Sequence, residues 1–151
     1  MNTLDLVSFA RSDPAIASCF VGVLALDQLG ARVDSYPAAY IINTDKSTAP
    51  GEHWVALYFE SEDVADYFDS YGLHPFGAIY DFAKANATDV YYNKKMIQSF
   101  TSKWCGAYCL YFLHFRVRGC AMSSIVSHFS ATKRYDNDAL VESVLLALTD
   151  V

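Results

Sequence analysis

An α+β domain is the fold class that the sequence predicts, and three observations carry it. Three β-rich runs, AYIIN (39–43), HWVALYF (53–59) and VADYFDS (64–70), succeed one another with only turn clusters between them, so they read as neighbouring strands of one sheet. FGAIYDFAKANA opens a helical reading over 76–90, and NDALVESVLLAL closes the chain as an amphipathic helix. Between these two, CGAYCLYFLHFRV (105–117) is apolar on all sides and reads as a helix buried within the fold.

The remaining segments are less decided. Residues 1–12 read as a short helix, with Leu4, Val7 and Phe9 among polar positions, ended by Ser12, Asp13 and Pro14. The run AIASCFVGVLAL (15–26) is almost wholly apolar and fits a buried helix or a strand equally well. Turns are expected at Thr44 to Gly51 and Glu60 to Asp63, and residues 91–104 read as strand or loop. No repeat, low-complexity tract or linker divides the chain, and its 151 residues are read as one domain over 1–151, large enough to bury its own core.

Composition narrows the function classes. The chain is 53% hydrophobic, 15% aromatic and 19% charged, a mixture that excludes disorder and implies a tightly packed interior. Net charge is −6, with −8 on the first 75 residues and +2 on the rest, which argues against a protein built to grip phosphate backbones. Asp5 and Asp13 stand where a secretory signal would carry positive charge, and no apolar run reaches membrane-spanning length, so an intracellular chain with no membrane partner is expected. For such a compartment, Cys19, Cys105, Cys109 and Cys120 are expected as free thiols.

Cys105 is the thiol that needs explaining. Metal binding fails on spacing. Cys105 and Cys109 lie about 40° apart around a helix, but His114 lies about 180° from Cys105 and no C-x2-C pair exists, so no metal is expected. If Cys105 opens the helix, unpaired backbone N–H groups and the positive end of the macrodipole favour its thiolate. Core filling is the competing reading for Cys105, and for Cys109, one turn deeper, it is the expected one.

A nucleophilic thiol needs a base, and the base an orienting acid. A hairpin turn in ESED, centred near residue 61, would place His53 opposite Asp69 on the same face of the sheet. A one-residue slip would turn one of them away. His74, His114 and His128 are assigned structural roles, and His53 alone could equally be a strand-end residue satisfied by solvent. Gln98, seven residues before Cys105, is of the type that supplies an oxyanion donor beside a backbone N–H.

The ordered set His53 and Trp54, then Phe68, Asp69, Ser70 and Gly72, then Gln98, then Cys105, Gly106 and Cys109 leading an apolar helix resembles the adenovirus endopeptidase (adenain) family. That family includes proteases of virophages and Polinton-type elements and is distantly related to SUMO-specific proteases. The likeness extends to FVGV near the start, IINTD with its Gly-x-His-Trp turn, FDSYG and the FLH helix ending. It implies a permuted papain-like fold with a central mixed sheet flanked by helices and a nucleophile at the start of a buried helix. By position it implies Cys105 as nucleophile, His53 as general base, Asp69 as orienter, and Gln98 with the Cys105 amide as oxyanion hole. Trp54 and Gly106 would bind substrate, in a channel favouring small Gly residues, although Trp54 is equally at home in ordinary packing.

The function this resemblance implies is that of a viral or virus-like maturation cysteine endopeptidase, cutting capsid and other structural precursors in an infected cell and in the virion, and acting as a monomer. A deconjugase of ubiquitin-like modifiers is the alternative, and a non-catalytic binding module on a degenerate protease fold is the third. Adenain is basic and uses DNA and a disulfide-linked viral peptide. This chain is acidic and has no cysteine between Asp69 and Gln98, so neither cofactor is expected here.

Overall fold

The computed structural model describes residues 1–48 and 53–149. Their order is α1 (Thr3–Ser12), α2 (Pro14–Ala17), β1 (Phe20–Leu24), a 3-10 turn (Leu26–Gln28), β2 (Ala38–Asn43), β3 (Trp54–Phe59), β4 (Val64–Phe68), α3 (Gly77–Asn86), β5 (Asp89–Tyr92), α4 (Cys105–Arg116), α5 (Met122–Val126) and α6 (Arg134–Thr149). The expected turn at Thr44 to Gly51 lies partly outside the described residues.

One mixed sheet organises the chain, in the order β1-β2-β3-β4-β5. The three central strands are antiparallel neighbours, while β1 joins β2 and β5 joins β4 in parallel. Side-chain alternation divides the interior in two. Ala39, Ile41, Ala56, Tyr58 and Phe68 face α1, α4, α5 and α6. Ala38, Tyr40, Ile42, Val55, Leu57, Phe59 and Tyr67 face Ile79, Phe82 and Ala83 of α3. Both faces of the central strands are covered, so these strands are mostly apolar, and α4, packed between the sheet and other helices, is buried on nearly every side.

The undecided run 15–26 divides because two local forces act in succession. Asp13 accepts hydrogen bonds from the N–H groups of Ala15 and Ile16, and Pro14 fits the first helical position, so α2 starts there. β1 then gains its partners from β2. The helix expected over 76–90 stops at Asn86. Thr88 and Asp89 donate their N–H groups to Glu62 and Asp63, at 3.0 and 2.8 Å, drawing the chain onto the sheet as β5 two residues before position 91.

Candidate active site

The β3–β4 hairpin sets the first half of the site. Pairs such as Ala56 with Phe68 and Phe59 with Ala65 centre the turn at residue 62, one later than expected. That change moves each residue's partner by two, which preserves the face. His53 therefore points diagonally at Asp69 and lies over Tyr71, whose ring stacks on the imidazole at 4.1 Å and 13°. His53 Nε2 and Asp69 Oδ1 are 2.7 Å apart, with both residues buried. The same Oδ1 accepts the Tyr71 N–H at 2.8 Å.

Helix α4 supplies the second half by beginning at Cys105. Its N-cap residue, Trp104, makes no side-chain capping bond, leaving the first-turn N–H groups open to an anion. A cleft of about 490 Å³ opens over Cys105, lined also by Asn43, Trp54, Tyr71, Phe100, Ser102 and Lys103. His53 Nδ1 is buried and hydrogen-bonds nothing among the described residues, yet the Cys105 thiol lies close enough for each group to shift the other's protonation. Such contacts are often relaxed before substrate binds.

Electrostatics favours the ion-pair form. Burial would lower the His53 pKa, but the Asp69 hydrogen bond and the adjoining Cys105 push it up to about 9. Burial likewise disfavours a Cys105 thiolate, but His53 and the N–H groups of Trp54 and Gly106 outweigh it and hold the pKa below that of an ordinary thiol. One turn on, burial drives the Cys109 thiol well above its usual range. The two cysteines thus differ as helix position dictates.

Comparison with solved structures fits this geometry onto a known architecture. A crystal structure of the ASFV pS273R protease superposes with a TM-score of 0.60 at 17% identity, covering 83% of this chain and 60% of that one. The fold is that of the pS273R protease. A selenomethionine crystal structure of the same protease gives a TM-score of 0.47 at 22% identity, covering 61% of this chain and 39% of that one. The chain thus spans less than two thirds of the pS273R chains it matches. No protein-family model matches it, and no curated protein does. The central mixed sheet flanked by helices, with Cys105 opening a buried helix, agrees with the expected fold class.

On this pS273R-like fold the other candidates take distinct places. Trp54 begins β3 and walls the cleft. Gly106 does not line it. A Cβ there would lie 2.9 Å from Leu6 Cδ2 and 3.4 Å from Trp54 Cδ1, so α1 packs closely on α4 at this position. Gln98 is fully buried; its Oε1 accepts the Ser70 hydroxyl and its Nε2 donates to both Ser102 oxygens at 3.2 Å. Its donor is therefore beside the cleft but engaged.

The other histidines have partners elsewhere. His114 Nδ1 meets Asp13 at 2.7 Å, His128 Nδ1 meets the Tyr111 hydroxyl at 2.7 Å, and His74 packs edge-on against Tyr92. All four cysteines are unpaired. Among the described residues no group of three or more His, Cys, Asp or Glu could hold a metal ion, and no helix is long and apolar enough to cross a membrane. Sequence reasoning misses Tyr71 and Ser102. Tyr71 lies in the turn that follows β4 and Ser102 in an irregular loop, so neither has a strand or helix period to read.

Proposed function

We propose that the chain is a cysteine endopeptidase of viral or virus-like origin, with residues 1–151 as its protease domain, maturing capsid or other structural precursor proteins. The observation that carries this reading is the convergence of a hydrogen-bonded His53–Asp69 pair and the Cys105 thiol at the head of α4, beside one open cleft. Two supports stand beside it. The fold is shared with a protease, and the adenain-like residues occur in the order that family requires.

In this mechanism the Cys105 thiolate attacks the scissile carbonyl carbon, and the carbonyl oxygen takes up the negative charge. The Cys105 N–H and Gln98 Nε2 stabilise that oxyanion, Gln98 exchanging its bond to Ser102 for one to substrate. The His53 imidazolium then gives its proton to the leaving amine, the peptide C–N bond breaks, and an acyl-thioester remains. Neutral His53 next takes a proton from water, which attacks the thioester and restores the thiolate on departure. Asp69 holds the imidazole tautomer and stabilises its cation throughout.

Cleavage at small Gly-containing sites follows from the adenain-like resemblance, in which the residue beside the base walls the substrate channel as Trp54 walls the cleft here. Neither DNA nor an activating peptide enters the proposal, given the net charge of −6 and the absence of cysteine between Asp69 and Gln98. A monomeric enzyme acting inside infected cells and in the virion completes it. Purified protein incubated with candidate capsid precursors should yield discrete products, and Cys105→Ala should lower the rate by about 10⁶-fold. Cleavage surviving that substitution would refute the site. Labelling of Cys105 by vinyl-sulfone ubiquitin or SUMO probes, with no cleavage of precursors, would replace the maturation role by deconjugation.

A further inference from the structure

Strands β4 and β5 are paired as far as Tyr67 and Tyr92, and beyond them the sheet stops supplying regular partners. Asp69 lies just past that end and is only 3% exposed, so water is a poor partner for its backbone N–H and C=O. One side chain serves both groups. Asn93 Oδ1 accepts the Asp69 N–H at 2.9 Å, and Asn93 Nδ2 donates to the Asp69 carbonyl at 2.6 Å. The amide thus presents to Asp69 what another strand residue would. Asn93 is itself buried, and its Nδ2 also reaches the Lys95 carbonyl at 3.4 Å, anchoring the clamp to its own loop.

With its main chain held by Asn93 on this side and its carbonyl also accepting the Gly72 N–H at 2.8 Å, the Asp69 carboxylate reaches the Tyr71 N–H and His53 Nε2. Resting on the cysteine-protease reading above, we propose that Asn93 is a positioning residue of that site, aiming Asp69 at His53 and thereby the imidazole at Cys105. It acts through Asp69. The effect is sensitive to small movements, because misplacing reacting groups by about 1 Å can cost on the order of 10²-fold in rate.

The test uses the full chain as wild type, Asn93→Ala and Asn93→Ser, with Asn86→Ala as a comparison, since Asn86 is a buried amide that ties Val33 to α3. His53 is titrated by NMR of labelled imidazole, and Cys105 carbamidomethylation by iodoacetamide at pH 6 is followed by mass spectrometry. Folded Asn93→Ala should show the His53 midpoint lowered by about one unit, Cys105 alkylated about tenfold more slowly, and precursor cleavage reduced about 10–100-fold. Asn93→Ser should fall between, and Asn86→Ala should change melting temperature without moving His53.

A folded Asn93→Ala or Asn93→Ser with wild-type His53 titration and Cys105 reactivity overturns the proposal, as does unfolding of both, which would assign Asn93 to stability alone. A wild-type Cys105 that reacts like an ordinary thiol would instead overturn the protease reading, a separate result read on a separate sample.

Discussion

At the scale of single residues, the site is a competition between burial and pairing. Burial opposes charge on both Cys105 and His53, and each is charged because the other, with Asp69, is present. The ion pair occupies the pH window between the lowered thiol pKa and about 9. Peptidase activity should therefore be bell-shaped, falling in acid as the thiolate is protonated and above about pH 9 as His53 loses its proton. A rate that is flat across both limbs would contradict this. The linkage has a matching sign: a His pKa raised on folding contributes stability in full below its unfolded value of about 6.5, lost as pH rises through the folded one. Asp69→Ala should lower the rate by about 10²–10⁴-fold, measured as kcat/KM on any substrate the wild type cleaves.

At the scale of elements, two glycines hold the site's supports in register. Gly72 has φ +70°, and a Cβ there would sit 2.7–2.8 Å from the Lys94 and Lys95 backbone. The turn after Asp69 thus lies directly on the loop that carries Asn93. Gly72→Ala should cost about 2–4 kcal/mol by strain and overpacking, whereas Gly106→Ala, meeting the movable end of Leu6, should cost about 1–3 kcal/mol. Chemical denaturation of both variants checks the order, and equal losses would contradict the contrast.

The legibility of these elements in the sequence has the same physical basis. Short β-rich runs bounded by turn residues mark β2, β3 and β4 to within about two residues, and uninterrupted apolarity marks α4. The face shared by His53 and Asp69 survives an error in the turn centre because the partner shift is two. The run at 15–26 stays ambiguous because apolar residues without a period fit either element. β5 begins early because its partners are 26 residues back along the chain, at Glu62 and Asp63, and no local pattern records them. That Gly106 lies against Leu6 of the distant α1 is a further contact that no local pattern records.

Across the whole molecule, two polar clasps fix α4, and so the thiol, relative to the sheet and the amino-terminal helices. Arg116 at the end of α4 donates Nε to Asp66 of β4 at 2.6 Å and lies over the Tyr58 ring. Asp13, between α1 and α2, receives Arg118 at 2.6 Å and His114 at 2.7 Å. Burial would raise the Asp13 pKa, but these partners hold it down to about 2. Relative to an ordinary Asp near 3.9, that shift contributes about 2 kcal/mol, present above the unfolded pKa and lost as pH falls through about 2. Asp13→Asn should remove it and flatten the acid limb of the stability curve. An unchanged acid limb would show that the clasp contributes nothing. Arg116→Met should cost about 3–5 kcal/mol by stranding Asp66.

The proposed chemistry depends above all on Cys105, alone among the four cysteines, being held as a thiolate by His53. Site-resolved alkylation of Cys19, Cys105, Cys109 and Cys120 from pH 4 to 10, in wild type and His53→Ala, measures it directly. Rapid modification of Cys105 well below the pH at which ordinary thiols react is expected, with loss of that advantage in His53→Ala. Modification of Cys105 along the curve of an ordinary thiol, unchanged by His53→Ala, would contradict it.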